Sequence, residues 1–107
     1  MKYYFVSEIE ITDRNWTSAY VANVTRLVED CGGRFLARTS RLEIIEGEPT
    51  TPPPLLVIIE WPSKEVANRF YESDAYRPYR QSRIGGSKGK LFLVPGEDLT
   101  KTAQISG

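Results

Sequence analysis

Leu55-Leu56-Val57-Ile58-Ile59-Glu60-Trp61 is the most apolar run of the chain, interrupted by one charge. A near-continuous apolar run of this length is buried on both faces and reads as a central strand. Pro62 breaks it, and Ser63 caps a following helix whose inward stripe is Val66, Ala67, Phe70 and Tyr71. Working back, Thr50-Thr51-Pro52-Pro53-Pro54 can join neither a ladder nor a helix and serves as a stiff spacer loop. Arg34 to Thr39 precedes it as a strand, and Leu42-Glu43-Ile44-Ile45-Glu46 is expected to resume extended structure after a break at Ser40-Arg41. The residues from Tyr3 to Ile11 form another strand. Its odd positions are apolar except Ser7, and its even positions turn polar at Glu8 and Glu10.

Between these strands, Trp16, Tyr20, Val24, Leu27, Val28 and Cys31 recur at spacings of three and four, the stripe of an amphipathic helix. Asp13 is its expected N-cap, and Gly32-Gly33 supplies the positive φ of its end. Beyond the second helix, Ser73 can cap a short helical piece through Asp74-Ala75-Tyr76 that Pro78 interrupts. Gly85 to Gly89 reads as a flexible turn and Lys90 to Val94 as the last strand. One domain over residues 1–96 with a loose tail over 97–107 is expected.

Strand, helix, strand, strand, helix, strand is the order of an α+β, ferredoxin-like βαββαβ unit. It has a four-stranded antiparallel sheet covered by helices on one face. Right-handed crossovers put the first and third strands at the centre. The uncovered face would carry Tyr4, Val6, Glu8, Leu36, Arg38, Leu56, Ile58 and Glu60, too apolar to stay bare in water. A second copy of the sheet is the economical cover. It makes a dimeric α+β barrel, with a pocket between sheet and helices or beneath the partner.

Composition narrows the chemistry. The chain has 107 residues, 40% apolar and 26% charged, with 14 basic against 14 acidic residues. That fits one compact domain, and the absent net charge gives no support for nucleic acid as a partner. No apolar run reaches the ~18 residues of a membrane span and Met1-Lys2-Tyr3-Tyr4 does not open a signal peptide, so a cytoplasmic protein is expected. With no histidine and one cysteine, Ser-His-Asp and Cys-His mechanisms, an internal disulfide and the usual zinc and haem sites are excluded within the chain. An all-carboxylate metal site from Glu8, Glu10, Glu43, Glu46 and Glu60 lacks any suggestive spacing. No cofactor is expected, and Trp16 and Trp61 give no reason to invoke a flavin.

Several segments together resemble a known family. They are Gly32-Gly33-Arg34-Phe35-Leu36-Ala37-Arg38, Glu46-Gly47, Ile58-Ile59-Glu60-Trp61-Pro62-Ser63, and Ala67 through Phe70-Tyr71-Glu72-Ser73 to Tyr76. Asp13, Tyr20 and Arg83 join them in order and spacing. The family is catalogued as domain of unknown function 1330, within the dimeric α+β barrel superfamily, and the resemblance runs from Tyr3 to Gly96. It implies the fold and a homodimer but no reaction. Superfamily relatives include cofactor-free monooxygenases, polyketide cyclases, muconolactone isomerases and haem-dependent enzymes, and borrowing any of these is fold-level analogy. Two departures fall near the expected pocket mouth: Thr39-Ser40 where the family usually continues with glycine, and an unusually glycine-rich last turn.

Arg38 and Glu60 are expected on one side of neighbouring strands, either as a cross-strand ion pair or as an anion clamp beside a desolvated carboxylate. Tyr76, Arg80 and Arg83 cluster after the second helix, where they can bind an anion, steady an oxyanion, or merely form a solvated basic turn. The candidate catalytic residues are Glu60, Tyr76 and Asp13. The candidate substrate-binding residues are Arg38, Arg83, Tyr20 and Ser73. Tyr20 and Asp13 also have plain structural roles, as a packed ring and a cap. The expected function is cofactor-independent isomerase, cyclase, lactone or oxygenase chemistry on a small anionic, carbonyl or aromatic metabolite. The alternative is a non-catalytic dimer that binds a ligand or serves as an accessory protein.

Overall fold

The computed structural model describes residues 1–100, so most of the tail expected over 97–107 lies outside the described residues. The elements run β1 (Tyr3–Ile11), α1 (Thr17–Asp30), β2 (Arg34–Thr39), β3 (Leu55–Trp61), α2 (Lys64–Glu72), α3 (Arg77–Gly85) and β4 (Ser87–Pro95). The four strands form one antiparallel sheet in the order β2-β3-β1-β4, with β3 and β1 central as the apolar runs require. No helix among the described residues is long and apolar enough to cross a membrane.

The core lies between the sheet and its helices. Val24 and Val28 of α1 are buried against Phe5, Ile59 and Trp61 of the sheet and Ala67 and Phe70 of α2. An aromatic chain runs through it: Phe5 stands edge-on to Trp61 at 5.4 Å, Trp61 meets Phe70 at 5.1 Å, and Phe70 meets Tyr76 at 4.5 Å. Gly33, after α1, is held close to this core. A Cβ there would lie 2.8 Å from the Trp61 ring and 2.7 Å from Val28, closer than packed atoms allow.

Ser63 caps α2 as its sequence suggests, its hydroxyl accepting from the Val66 N–H at 3.2 Å. Elsewhere the local expectations change. α1 starts at Thr17, so Asp13 does not cap it directly. The Asp13 carboxylate instead accepts from the Asn15 N–H at 2.9 Å, closing an Asx turn ahead of the helix. Cys31 ends the apolar stripe but is exposed.

The extended piece expected over Leu42–Glu46 does not form. β2 ends at Thr39 opposite Leu56, and β3 begins at Leu55, so residues 40–54 form the connection between two neighbouring strands and none of them joins the sheet. The broken piece expected around Tyr76 is the lead-in to a third helix, which makes the order βαββααβ. Pro78 sits in the first turn of α3, where its missing N–H costs nothing. The turn expected over Gly85–Gly89 is instead the end of α3 and the start of β4.

One irregularity redirects a candidate residue. In β2, Arg34 pairs with Glu60 and Phe35 with Ile59, but Ala37 pairs with Ile58 and Arg38 with Val57. Leu36 is the extra residue of a β-bulge, and side chains after it are displaced by one position. Arg38 therefore shares the helix-covered face with Val57, whereas Glu60 stays on the open face. The expected Arg38–Glu60 pair does not exist. The open face is nonetheless apolar: Val6 lies between Ile58 and Phe92, and Tyr4 is opposite Val94.

Candidate functional site

α1 and α3 do not close fully onto the sheet. Between them lies an open-mouthed pocket of about 110 Å³, walled by residues that include Phe5, Ile9, Val24, Val57, Ile59 and Leu91. It is smaller than the several hundred Å³ anticipated for a ligand site. It approaches the ~150 Å³ cavity known to accept benzene, and it is open at one side. One small ring fits it.

Its inner titratable groups come from α1 and α3. Tyr20 extends from α1 and Tyr76 from the N-cap position of α3, and their hydroxyls lie 2.7 Å apart. Arg83 is seven residues beyond Tyr76, two helical turns, and so returns to the same side of α3. Tyr76 is held from behind by Ser73, whose hydroxyl accepts from the Tyr76 N–H at 3.2 Å and donates to the Phe70 carbonyl at 2.8 Å. Ser73 is thus a support for Tyr76 and does not line the pocket.

Burial pushes the Tyr20 phenol well above its ordinary range, and Tyr76 adds to the effect while Arg83 opposes it. Tyr20 consequently stays protonated at any physiological pH. Burial works to lower the pKa of Arg83, but its interactions with Tyr76 and Tyr20 outweigh that and raise it. The site therefore holds two phenolic hydroxyls beside a permanent cation in largely apolar surroundings. Such an arrangement donates hydrogen bonds to a developing oxyanion.

Arg38 also lines the pocket, at an exposed position near its rim. Its guanidinium lies over the Phe35 ring, 4.0 Å from the centroid, and donates to the Thr25 hydroxyl at 2.9 Å. The lining thus carries two guanidiniums and no carboxylate.

Glu60 and Asp13 are outside it. Glu60 is ion-paired with Lys2 at 2.8 Å on the open sheet face. The hydrogen bond from Lys2 holds its carboxyl below the ordinary value, against a smaller opposing effect of burial and with further help from the Lys2 and Arg34 charges. The expectation of a desolvated, raised carboxylate is therefore reversed. Arg80, expected to cluster with Tyr76 and Arg83, turns away: its guanidinium donates to the Tyr71 carbonyl and lies 4.9 Å over the Tyr71 ring.

Ser7 and Trp16 are among the pocket residues that were not candidates. Ser7 is buried in the sheet wall, and its signal was visible as the one polar residue among the odd positions of β1. Trp16 lines the pocket while its indole N–H donates to the Gly86 carbonyl at 3.0 Å. The Thr12 and Asp13 amides donate to the same oxygen, at 3.0 and 3.1 Å. This tie between the start of α1 and the end of α3 joins residues far apart in the chain, and no local signal announces it.

Among the described residues no group of three or more Cys, Asp or Glu side chains is placed to hold a metal ion.

Comparison with solved structures identifies the same fold elsewhere. A protein of unknown function from Rhodopseudomonas palustris matches with a TM-score of 0.72 at 14% identity, over 91% of this chain and 84% of that one. SnoaB, a cofactor-independent oxygenase from Streptomyces nogalater, matches with a TM-score of 0.62 at 14% identity, over 91% of this chain and 94% of that one. At such identities the likeness is one of fold. Among curated proteins none matches the chain. The family model described as "Domain of unknown function (DUF1330)" matches residues 2–97, and the chain belongs to that family.

Proposed function

We propose that the protein is a cofactor-independent enzyme that binds a small phenol or enolisable carbonyl compound and stabilises its oxyanion. The observation that carries this is the Tyr20–Tyr76 hydroxyl pair, 2.7 Å apart and beside Arg83, in an otherwise apolar pocket. The substrate ring or alkyl body lies against Phe5, Ile9, Val57 and Leu91. Its oxygen receives a hydrogen bond from the phenol of the pair that does not donate to the other, and faces the Arg83 cation. Negative charge on that oxygen is shared with the α-carbon of an enolate, or with the ortho and para carbons of a phenolate. The proton lost on ionisation passes to solvent; reprotonation at a different carbon of the delocalised anion gives isomerisation, and dioxygen, as the oxidant, adds at such a carbon to form a hydroperoxide that loses water and leaves a new carbonyl group.

The lining offers no carboxylate to act as a strong base. Substrates whose enol or phenol ionises readily suit it best. Arg38, at the rim, attracts the anion and orients it on entry. The fold shared with the SnoaB oxygenase agrees with this chemistry as analogy only.

The apolar open face of the sheet supports a homodimer formed face to face, with the pockets left on the helix-covered side of each protomer. The missing base also favours a second reading, a dimer that binds such anions without turning them over.

4-Nitrophenol tests the oxyanion site directly, because its phenolate absorbs in the visible. Binding should shift its ionisation toward the phenolate, and Arg83→Gln should remove the shift. Binding as the neutral phenol would refute the site. Turnover is read as dioxygen uptake with an electron-rich dihydroxyarene, and as solvent deuterium entering the α-carbon of an enolisable ketone. Phenolate binding with neither signal would favour the non-catalytic reading.

A further inference from the structure

The sheet wall of the pocket carries a polar side chain at its centre. Ser7 is 6% exposed and lines the pocket. It pairs with Val57 of β3 on one side and with Leu91 of β4 on the other, while Phe5 and Ile9 share its face along β1. All four neighbours are apolar, and all four line the same pocket. No hydrogen bond among the described residues engages the Ser7 hydroxyl. Buried polar side chains are generally hydrogen-bonded, because an unpaired hydroxyl among hydrocarbon is costly. This hydroxyl instead opens on the space that receives the ring. Arg38, the other polar residue on the sheet side, shares the face of Val57 two strands away from Ser7 and holds its guanidinium over the Phe35 ring.

We infer that Ser7 is a second polar anchor of the pocket, set across from Tyr20, Tyr76 and Arg83, and that the ligand is a small ring bearing a second, uncharged oxygen. This rests on the oxyanion reading of the site and adds to it the class of ligand: a dihydroxyarene or a cyclic diketone in its enol form, in preference to a simple phenol. The phenols and Arg83 come from the helix layer and Ser7 from the sheet layer, so a ring held between the layers presents an oxygen to each. A serine hydroxyl both donates and accepts, and it suits a hydroxyl or a keto oxygen equally. The oxygen it meets is uncharged, because the neighbours of Ser7 are hydrocarbon and a second anion there would lack a cation. Ser7 thus determines specificity and takes no part in moving a proton.

The test pairs a dihydroxybenzene with the cresol in which a methyl group of nearly equal size replaces one hydroxyl. Hydroquinone is compared with 4-methylphenol, and resorcinol with 3-methylphenol, under argon. Binding is followed by the indole N–H resonance of Trp16, which lines the pocket from the helix side. Comparing each affinity ratio between the native protein and Ser7→Ala cancels the ligands' own differences in hydration and symmetry. In at least one pair, the preference for the dihydroxybenzene should be about fivefold or more greater in the native protein, the worth of one hydrogen bond. Because the Ser7 hydroxyl has no protein partner to lose, Ser7→Ala should raise the Tm of the free protein or leave it within about 4 °C of the native value.

Unchanged ratios in both pairs, with 4-nitrophenol still bound as its phenolate, would overturn the Ser7 anchor and leave the oxyanion site standing. So would a larger fall in Tm, which would show that the hydroxyl is held within the protein. Failure of every compound, 4-nitrophenol included, to move the Trp16 resonance would overturn the anchor and the oxyanion site together.

Discussion

The hydroxyl pair of Tyr20 and Tyr76 makes a quantitative claim about stability. Tyr76 is 3% exposed, and its hydroxyl lies 2.7 Å from that of Tyr20. Tyr20→Phe removes one partner and leaves the other, on the buried Tyr76, without it. The lost hydrogen bond is worth about 1 kcal/mol, and the orphaned group brings the total toward ~1–3 kcal/mol. Tyr76→Phe has the same cost for the same reason. The double variant strands neither hydroxyl and substitutes rings of equal shape, so its cost should be well below the sum of the singles.

A coupling of about 1–2 kcal/mol is therefore expected in the cycle. For a domain of this size each single should lower Tm by about 4–8 °C per kcal/mol, and the urea midpoint should fall by up to ~1 M per kcal/mol. Urea unfolding of the four proteins, followed by tryptophan fluorescence at one concentration, measures the cycle. Additive losses would show that the hydroxyls are independently satisfied, and the shared oxyanion site would lose its physical basis.

Three further outcomes follow from the geometry. Because Glu60 has a depressed carboxyl pKa in the folded protein, its contribution to stability is complete above its ordinary value of 4.5 and is lost as pH falls through the lower folded-state value. Glu60→Gln should accordingly flatten the acid limb of a Tm–pH profile, and an unchanged limb would show that the Lys2 pair does not persist in solution. Gly86→Ala places a methyl group inside the Trp16 ring; it should lower Tm by more than 5 °C, about 1 kcal/mol or more, and blunt the Trp16 response to ring ligands. Phe92, 52% exposed on the open sheet face, should give a monomer when changed to Lys, whereas the native chain should sediment as a dimer at micromolar concentration. A monomeric native chain would refute the face-to-face assembly.

Which features were legible depends on whether their cause is local. The central position of β3 follows from its own composition, since a strand with apolar residues on both faces has to be covered on both. Ser63 caps α2 because a hydroxyl and the next turn's amide are neighbours in the chain. The family resemblance pointed to Tyr20, Tyr76 and Arg83, which the fold does bring together around one pocket. It also pointed to Ser73, which supports Tyr76 from behind, and to Asp13, which closes a turn outside the pocket.

The Arg38–Glu60 pairing failed for a reason that alternation cannot reveal. Counting residues along β2 assumes a period of two, and the bulge at Leu36 resets that count. Whether a strand bulges depends on its partner's register and on what packs beneath it. The same holds for Leu42–Glu46, whose composition suits a strand but which pairs with neither edge strand of the sheet. Sequence alone thus settled the order of the four strands and the first two helices, the sheet's central strands and the absence of histidine chemistry, because each depends on residue type and near neighbours. Tertiary structure decided which side of the sheet Arg38 faces, where Glu60 finds its cation, and how α1 and α3 frame the pocket, because these are set by register and by helix placement between distant segments.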